Sequence, residues 1–415
     1  MSLATTGTAH APVLSLPNEL LATVFDIVVF EAALSSSHDH FESLTVFQIA
    51  GGLPSQLVLM SVCNSWKFVC MSFPAIWSRI CIALVPATRT PIDPTVWQQF
   101  ADACGKALQC GGRSSPLDLK LHLWNVSDES IQSVADTPLQ SQVFDSTWAS
   151  YRILRFCIEH SPRWRTFVMQ GHDHMHHEDE PLAGIPWSQL VDIRNRIPNL
   201  QAISLIDLDE KPPPASPLRS YYANIFREAP KLSEATFNSR VFPLNLPWSQ
   251  LTKITINYTG FDSYKQFADY FVFVMRNTTA STFSWGDDSL ALIEDVDNIL
   301  PTLETVENPH ITDFRIPPMI LPPVLLPNLT SLLFVISDAR DVRLDSVSQV
   351  LSLLKDSGCR LLHLTVEQWT EDYTADAEAI VLLLPYLTNL QSLTWTAALA
   401  DEEFSRAHLS HVQPP

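Results

Sequence analysis

The 415-residue sequence is short of glycine, with 11 in all, and contains no G-x-G-x-x-G and no G-x-x-x-x-G-K-[ST]. Both loops let backbone N–H groups close on phosphate, so a dinucleotide or P-loop nucleotide site is excluded. Basic residues are also scarce: 26 Lys+Arg face 45 Asp+Glu, the net charge is −19, and no Lys/Arg run occurs. A field of that sign repels phosphate backbones and anionic lipid, which argues against nucleic acid and membrane as partners and favours a basic or neutral protein surface. A membrane span needs about 18 or more uninterrupted apolar residues. The nearest stretch, 20–34, carries Asp26 and Glu31. Residues 1–15 lack the basic and apolar regions of a secretory signal. The seven cysteines (Cys63, Cys70, Cys81, Cys104, Cys110, Cys157, Cys359) include no C-x-x-C. That pattern fits reduced, mostly buried thiols of a chain in the cytoplasm or nucleus, and not a disulfide framework or a zinc ribbon.

What is present is the composition of a folded chain: 46% of residues are hydrophobic and 17% charged. At this length one ordinary core is too little, so a small module followed by a larger domain or repeat array is expected. Leu16 opens the phrase LPNELLATVFDIVVF. Pro17 suits a first helical turn, where its missing N–H costs nothing, and Glu19 favours the positive end of the dipole. Leu20, Leu21, Val24, Phe25 and Val28 then share one apolar stripe at three- and four-residue spacing. A second helix starts near Pro54, with Leu59, Val62, Cys63, Trp66, Val69 and Cys70 on one expected buried face, and Pro74 breaks it. A helical pair of this size carries more apolar surface than it can cover itself.

These phrases resemble the F-box: Leu16-Pro17, Glu19-Leu20-Leu21 and Val24-Phe25, then V-C-x-x-W-K-x-V from Val62 and P-x-I-W from Pro74. The resemblance covers residues 14–84. It implies a non-catalytic substrate-recognition subunit of an SCF-type cullin-RING ubiquitin ligase, bound through a Skp-type adaptor to a cullin. By motif match, Leu16, Pro17, Leu20, Leu21, Val62, Cys63 and Trp66 would lie at or support the adaptor contact. The link at 32–53 is longer than the family's and reads as an inserted loop or extra helical turn. If the docking surface is lost, the alternative is an interaction scaffold without ligase docking.

Beyond the module a phrase recurs: an apolar turn, often with Pro, then Leu, then a strand-like stretch. Copies lie at Ile197-Pro198-Asn199-Leu200 before QAISLIDL, Ala229-Pro230-Lys231-Leu232 before SEATF, and Leu326-Pro327-Asn328-Leu329 before TSLLFVI. Others precede RTFVM, TKITI, LHLTV and QSLTW. Between them YRILRFCIEH (151–160), YYANIFREA (221–229), SYKQFADYFVFVMRN (263–277), VSQVLSLLKDSG (347–358) and AEAIVLLLPYL (377–387) have helical spacing. Such units cannot bury their own apolar faces, so neighbours must stack. The array resembles irregular leucine-rich repeats. This implies an α/β chain in which a parallel-strand solenoid with helices on its convex side, residues 85–400, holds a target protein. A doubly wound α/β domain is the competing architecture. Residues 1–13 and 401–415 are expected to be disordered or mobile ends. The Pro-rich runs at 211–217 and 316–327 read as loops between repeats.

The sharpest cluster of potential ligands is His172, His174, His176 and His177 with flanking carboxylates at 173 and 178–180. Imidazoles suit zinc, copper or nickel, but the run has no H-E-x-x-H spacing and reads as a solvated loop. A metal-dependent enzyme built on it is the rival from a different class. No catalytic residue and no cofactor are assigned. The carboxylate pairs Asp287-Asp288 and Glu371-Asp372 read as charged turns. Trp124, Trp164, Trp187, Trp248, Trp285, Trp369 and Trp395 recur beside the strand phrases as core or rim packing.

Overall fold

The computed structural model describes residues 16–34, 45–48, 55–83, 94–112, 114–123, 146–171, 187–206, 223–238, 244–257, 263–286, 303–316, 321–336, 346–368 and 383–397. The ends 1–13 and 401–415, the four candidate histidines, the Pro-rich run 211–217 and both carboxylate pairs lie outside these residues. The chain divides into two compact units, Met1–Leu200 and Gln201–Pro415. It is an α/β protein, and the strand pairs established among the described residues run parallel.

The first unit opens with α1 (Asn18–Leu34), α2 (Ser55–Val62) and α3 (Asn64–Ser72), followed by a 3-10 turn at Pro74–Trp77. The expected single second helix is broken at Cys63, which is extended (φ −162°, ψ 167°) and caps α3. The break changes the helical phase. Leu59, Val69 and Cys70 stay buried while Val62 turns outward at 56% exposure. The link 32–53 is not loop or helix throughout: α1 continues to Leu34, and β1 (Thr45–Gln48) pairs in parallel with β2 (Arg79–Ala83). The helical module therefore shares its unit with a sheet that continues through β3 (Leu117–Leu123) and β4 (Trp164–Gly171).

Helix α4 (Pro94–Cys110), after β2, and helix α5 (Ser146–Glu159), after β3, pack against each other. Trp97, Ala101, Cys104 and Leu108 form the buried stripe of α4. Gly105 is a close-approach position, since a Cβ there would come within 2.8 Å of the Phe156 ring. An Arg152–Asp102 ion pair at 2.8 Å bridges the two helices.

In the second unit β5 (Ala202–Ile206), β6 (Glu234–Asn238), β7 (Lys253–Asn257) and β8 (Thr282–Gly286) pair in chain order. After the short β9 (Val306–Glu307), the ladder continues through β10 (Asp313–Ile316), β12 (Ser331–Ile336), β13 (His363–Gln368) and β14 (Ser392–Ala397). The Pro-rich run at 316–327 is not all loop, because Val324–Leu325 forms β11 and pairs with β9 in a second small sheet. Helix α6 (Tyr264–Asn277) lies between β7 and β8, and α7 (Ser346–Ser357) between β12 and β13. Gly358, at φ 57°, ends α7 in the left-handed turn that glycine favours. Helix reaches Ala223 but does not continue: from Asn224 the chain makes tight turns, in which Arg227 N–H bonds Asn224 O and Ala229 N–H bonds Phe226 O.

Strand alternation places Ile203, Ala235, Ile254, Phe283, Phe314, Leu332 and Leu364 in one buried register row. A second row holds Leu205, Phe237, Ile256, Trp285, Ile316, Phe334 and Val366. Rings from α6 (Phe267, Phe271) close over Phe283 and Trp285, with Phe267 and Trp285 edge-to-face at 5.0 Å, and Tyr264 packs on Phe267. The turn before each strand is held by one recurrent device. A carbonyl accepts two N–H groups from the next coil, as Thr252 O does from Ser281 and Thr282 and Thr312 O does from Thr330 and Ser331. Five hydroxyls add a third bond to the same ladder: Ser233 to Gln201 O, Thr252 to Ser233 O, Ser281 to Thr252 O, Thr312 to Ser281 O and Thr330 to Thr312 O. These bonds join residues 32, 19, 29, 31 and 18 apart, so coils of unequal length start their strands in one register.

Candidate docking surface

Helix α1 begins as its sequence requires: Leu21 N–H bonds Pro17 O at 3.0 Å, and the Thr23 hydroxyl bonds Glu19 O at 3.0 Å. Its inner side buries Leu21, Ala22 and Phe25. The Phe25 ring meets the indole of Trp66 at 4.9 Å between centroids, which ties α1 to α3. Below, Trp77 Nε1 donates to Cys70 O at 2.8 Å and Gln56 Nε2 to Ile76 O at 3.2 Å, so the 3-10 turn closes the floor of the module.

The apolar stripe of α1 is wider than this core, and its remainder faces outward. Leu20 is 53% exposed, with Val24, Ile27 and Val28 following it on the helix. Val58 and Val62, one turn apart on α2, and Phe68 and Met71, three residues apart on α3, are also exposed. With Leu16, nine of the thirteen exposed large apolar side chains among the described residues lie on residues 16–71. Single exposed apolar residues need no explanation; their concentration on one small module makes it the candidate docking surface. Covering one half-exposed side chain of this kind contributes about 1 kcal/mol to association.

The seven residues singled out by the motif separate into three groups. Leu16, Pro17, Leu20 and Val62 are exposed, and Cys63 and Trp66 are half-buried. Leu21 is 2% exposed and belongs to the core. Val24, Ile27, Val28, Val58, Phe68 and Met71 extend the outward surface and were not assigned to it from the motif. For Val24, Ile27 and Val28 the helical spacing from Leu20, and for Val58 that from Val62, was the available signal.

No catalytic constellation is assembled among the described residues. Cys70, Cys81, Cys104 and Cys157 are buried, and burial pushes the thiol of Cys70 up to about 11 and that of Cys81 up to about 12, which suppresses thiolate reactivity. No group of three or more His, Cys, Asp or Glu among the described residues could hold a metal ion. His363 Nδ1 and Ser392 Oγ stand 2.8 Å apart on the outer strand face. Asp313 shares their register row, but β12 separates its strand from that of His363. It bonds Ser331 instead, so among the described residues no carboxylate orients the imidazole as a Ser-His-Asp base requires. That face alternates charge with small hydroxyls: Glu234, Lys253, Thr282, Asp313, Ser331 and His363 run along one row, and Arg315 pairs with Glu367 at 3.3 Å. Among the described residues no helix is long and apolar enough to cross a membrane. Compared with family models, with curated proteins and with solved structures, the chain matches none.

Proposed function

We propose that the chain is the substrate-recognition subunit of an SCF-type cullin-RING ubiquitin ligase. In this reading α1–α3 form an F-box that docks on a Skp-type adaptor and, through it, a cullin. The second unit is an irregular leucine-rich-repeat-like solenoid whose polar strand face holds the target. The observation that carries the reading is the outward apolar surface of Leu20, Val24, Val58 and Val62, on the same helices that bear the motif residues. The chain contributes proximity, raising the effective concentration of target lysines beside the conjugating enzyme, and performs no bond-making itself. An acidic chain with Glu234, Asp313 and Glu367 on that face suits a target with basic groups.

A second reading, an interaction scaffold without ligase docking, is favoured by β1, a strand inside the link where a helical F-box has only a connection. Co-expression with a Skp-type adaptor and a cullin, followed by size-exclusion chromatography and mass determination, separates the two. A ternary complex of equal stoichiometry is expected. A folded chain that elutes alone would sink the ligase reading and leave the scaffold.

A further inference from the structure

The carboxylates on the outer strand face of the second unit differ in what answers them. Glu367 is paired with Arg315, whose guanidinium crosses β12 to reach it at 3.3 Å. Glu234 is exposed and stands directly opposite Lys253 on the next strand. Asp313 is half-buried, and among the described residues no cation pairs with it. The strands on either side place hydroxyls opposite it, Thr282 on β8 and Ser331 on β12, and Ser331 is its hydrogen-bond partner. Lys253 and His363 share its register row but stand two strands away, about 9.5 Å at the usual strand spacing. Arg315, two residues along the same face of β10, is turned to Glu367 instead. Burial pushes the Asp313 carboxyl above the usual carboxylate range, as expected where no close counter-charge offsets desolvation. Threonine and serine are short, so they leave room over Asp313, and their oxygens can accept as well as donate.

We propose that Asp313 anchors an arginine side chain of the target protein held on this strand face, with the hydroxyls of Thr282 and Ser331 accepting further N–H groups of the guanidinium. The inference rests on the reading of this face as the target-holding surface and is independent of what the helical module docks on. Arginine fits the site better than lysine. A planar guanidinium presents two parallel N–H groups to one carboxylate and keeps others for flanking oxygens. It is also more weakly hydrated than an ammonium, so entering a half-buried site costs it less. The net charge of −19 draws basic segments to the molecule as a whole, and the unanswered carboxylate gives that attraction a fixed point. The Arg315–Glu367 pair serves the site by keeping the nearest cation of the chain's own face away from Asp313.

The test pans a random dodecapeptide library displayed on phage against the full chain. The selected peptides should share one arginine, and synthetic copies, measured by fluorescence anisotropy at physiological salt, should bind Asp313→Asn at least tenfold more weakly than the parent. Asparagine there keeps a bonding group for Ser331, so the variant should stay folded by circular dichroism and bind the adaptor as the parent does. No adaptor enters the peptide assay, so a failure of ligase docking leaves its outcome intact. Replacing the shared arginine with citrulline, its uncharged isostere, should cost the same tenfold on the parent and nothing further on Asp313→Asn. Glu234→Gln removes one charge from the same face and should leave affinity within twofold, which separates a local anchor from the general field. Selection of no peptide, selection of peptides without a shared arginine, equal losses for Asp313→Asn and Glu234→Gln, or additive losses for citrulline and Asp313→Asn would each overturn the proposal.

Discussion

The guanidinium of Arg163 grips the backbone of Gly111: Nη2 donates to its carbonyl at 3.1 Å, and a Cβ on Gly111 would collide with that same nitrogen. Arg163 is 4% exposed and also donates to Leu108 O and Ser115 O, both at 2.8 Å. The buried cation thus satisfies the last carbonyls of α4, at the negative end of the helix dipole. Arg163→Met leaves those carbonyls unpaired and is expected to lower the unfolding free energy by at least about 2 kcal/mol in urea titrations. Arg163→Lys should recover less than half of that loss, because one ammonium cannot fork to three carbonyls. Gly111→Ala should be destabilising although alanine ordinarily stabilises helical backbone.

His160 reports on the same site. Its Nδ1 lies 3.4 Å from Arg163 Nη1, and burial together with that cation holds the imidazole below its usual pKa of 6.5. The folded state therefore keeps His160 neutral at pH values where the unfolded chain already binds a proton. Its contribution is fully present above 6.5 and is lost as pH falls from 6.5 towards the depressed folded value. The urea midpoint should fall between pH 7.5 and pH 5.5 more steeply for the parent than for His160→Gln. Equal slopes would contradict this account.

Asn308 is the corresponding fastener of α6. At 2% exposure its Nδ2 donates to Met275 O at 2.9 Å and to Thr278 O at 3.2 Å, while its Oδ1 accepts the His310 N–H at 2.9 Å. Asn308→Ala should cost about 2–4 kcal/mol by chemical denaturation. Asn308→Asp, nearly isosteric, should cost more, since it exchanges two donors for oxygen facing helix-terminal carbonyls.

Much of this architecture was legible in the sequence, and the failures have physical causes. Each strand phrase became a strand, because Leu200, Leu232, Leu251, Leu329 and Leu361 are the buried pins that precede β5, β6, β7, β12 and β13. The stretch 224–229 misled because Phe226, Ala229 and Leu232 recur every three residues, the period of tight 3-10 turns, and Pro230 offers no N–H for a longer helix. Strand β1 was missed although Thr45, Val46 and Phe47 are strong strand formers. The apolar stripe of α1 was legible, but which part of it the protein covers was not. Periodicity reports a face and is silent on the edge of its burial, so Leu20 and Leu21 looked alike. Likewise the break at Cys63, which starts α3 in a new helical phase, is a backbone event with no signature in apolar spacing.

That distinction sets the choice of probe. Leu21→Asp puts a carboxylate in the core and should unfold the module, at about 4 kcal/mol or more. Trp66→Ala removes the ring against Phe25 and likewise confuses misfolding with lost docking. Leu20→Asp with Val62→Asp changes only exposed positions and should leave the unfolding midpoint within the change typical of surface substitutions.

The most direct test of the account is therefore a calorimetric titration of a purified Skp-type adaptor into the full chain and into the Leu20→Asp, Val62→Asp variant. The account predicts one-to-one binding by the parent, with the negative heat-capacity change of apolar burial, and affinity at least a hundredfold weaker for the folded variant. Equal affinity of the two chains, or no binding by a folded parent, would contradict it.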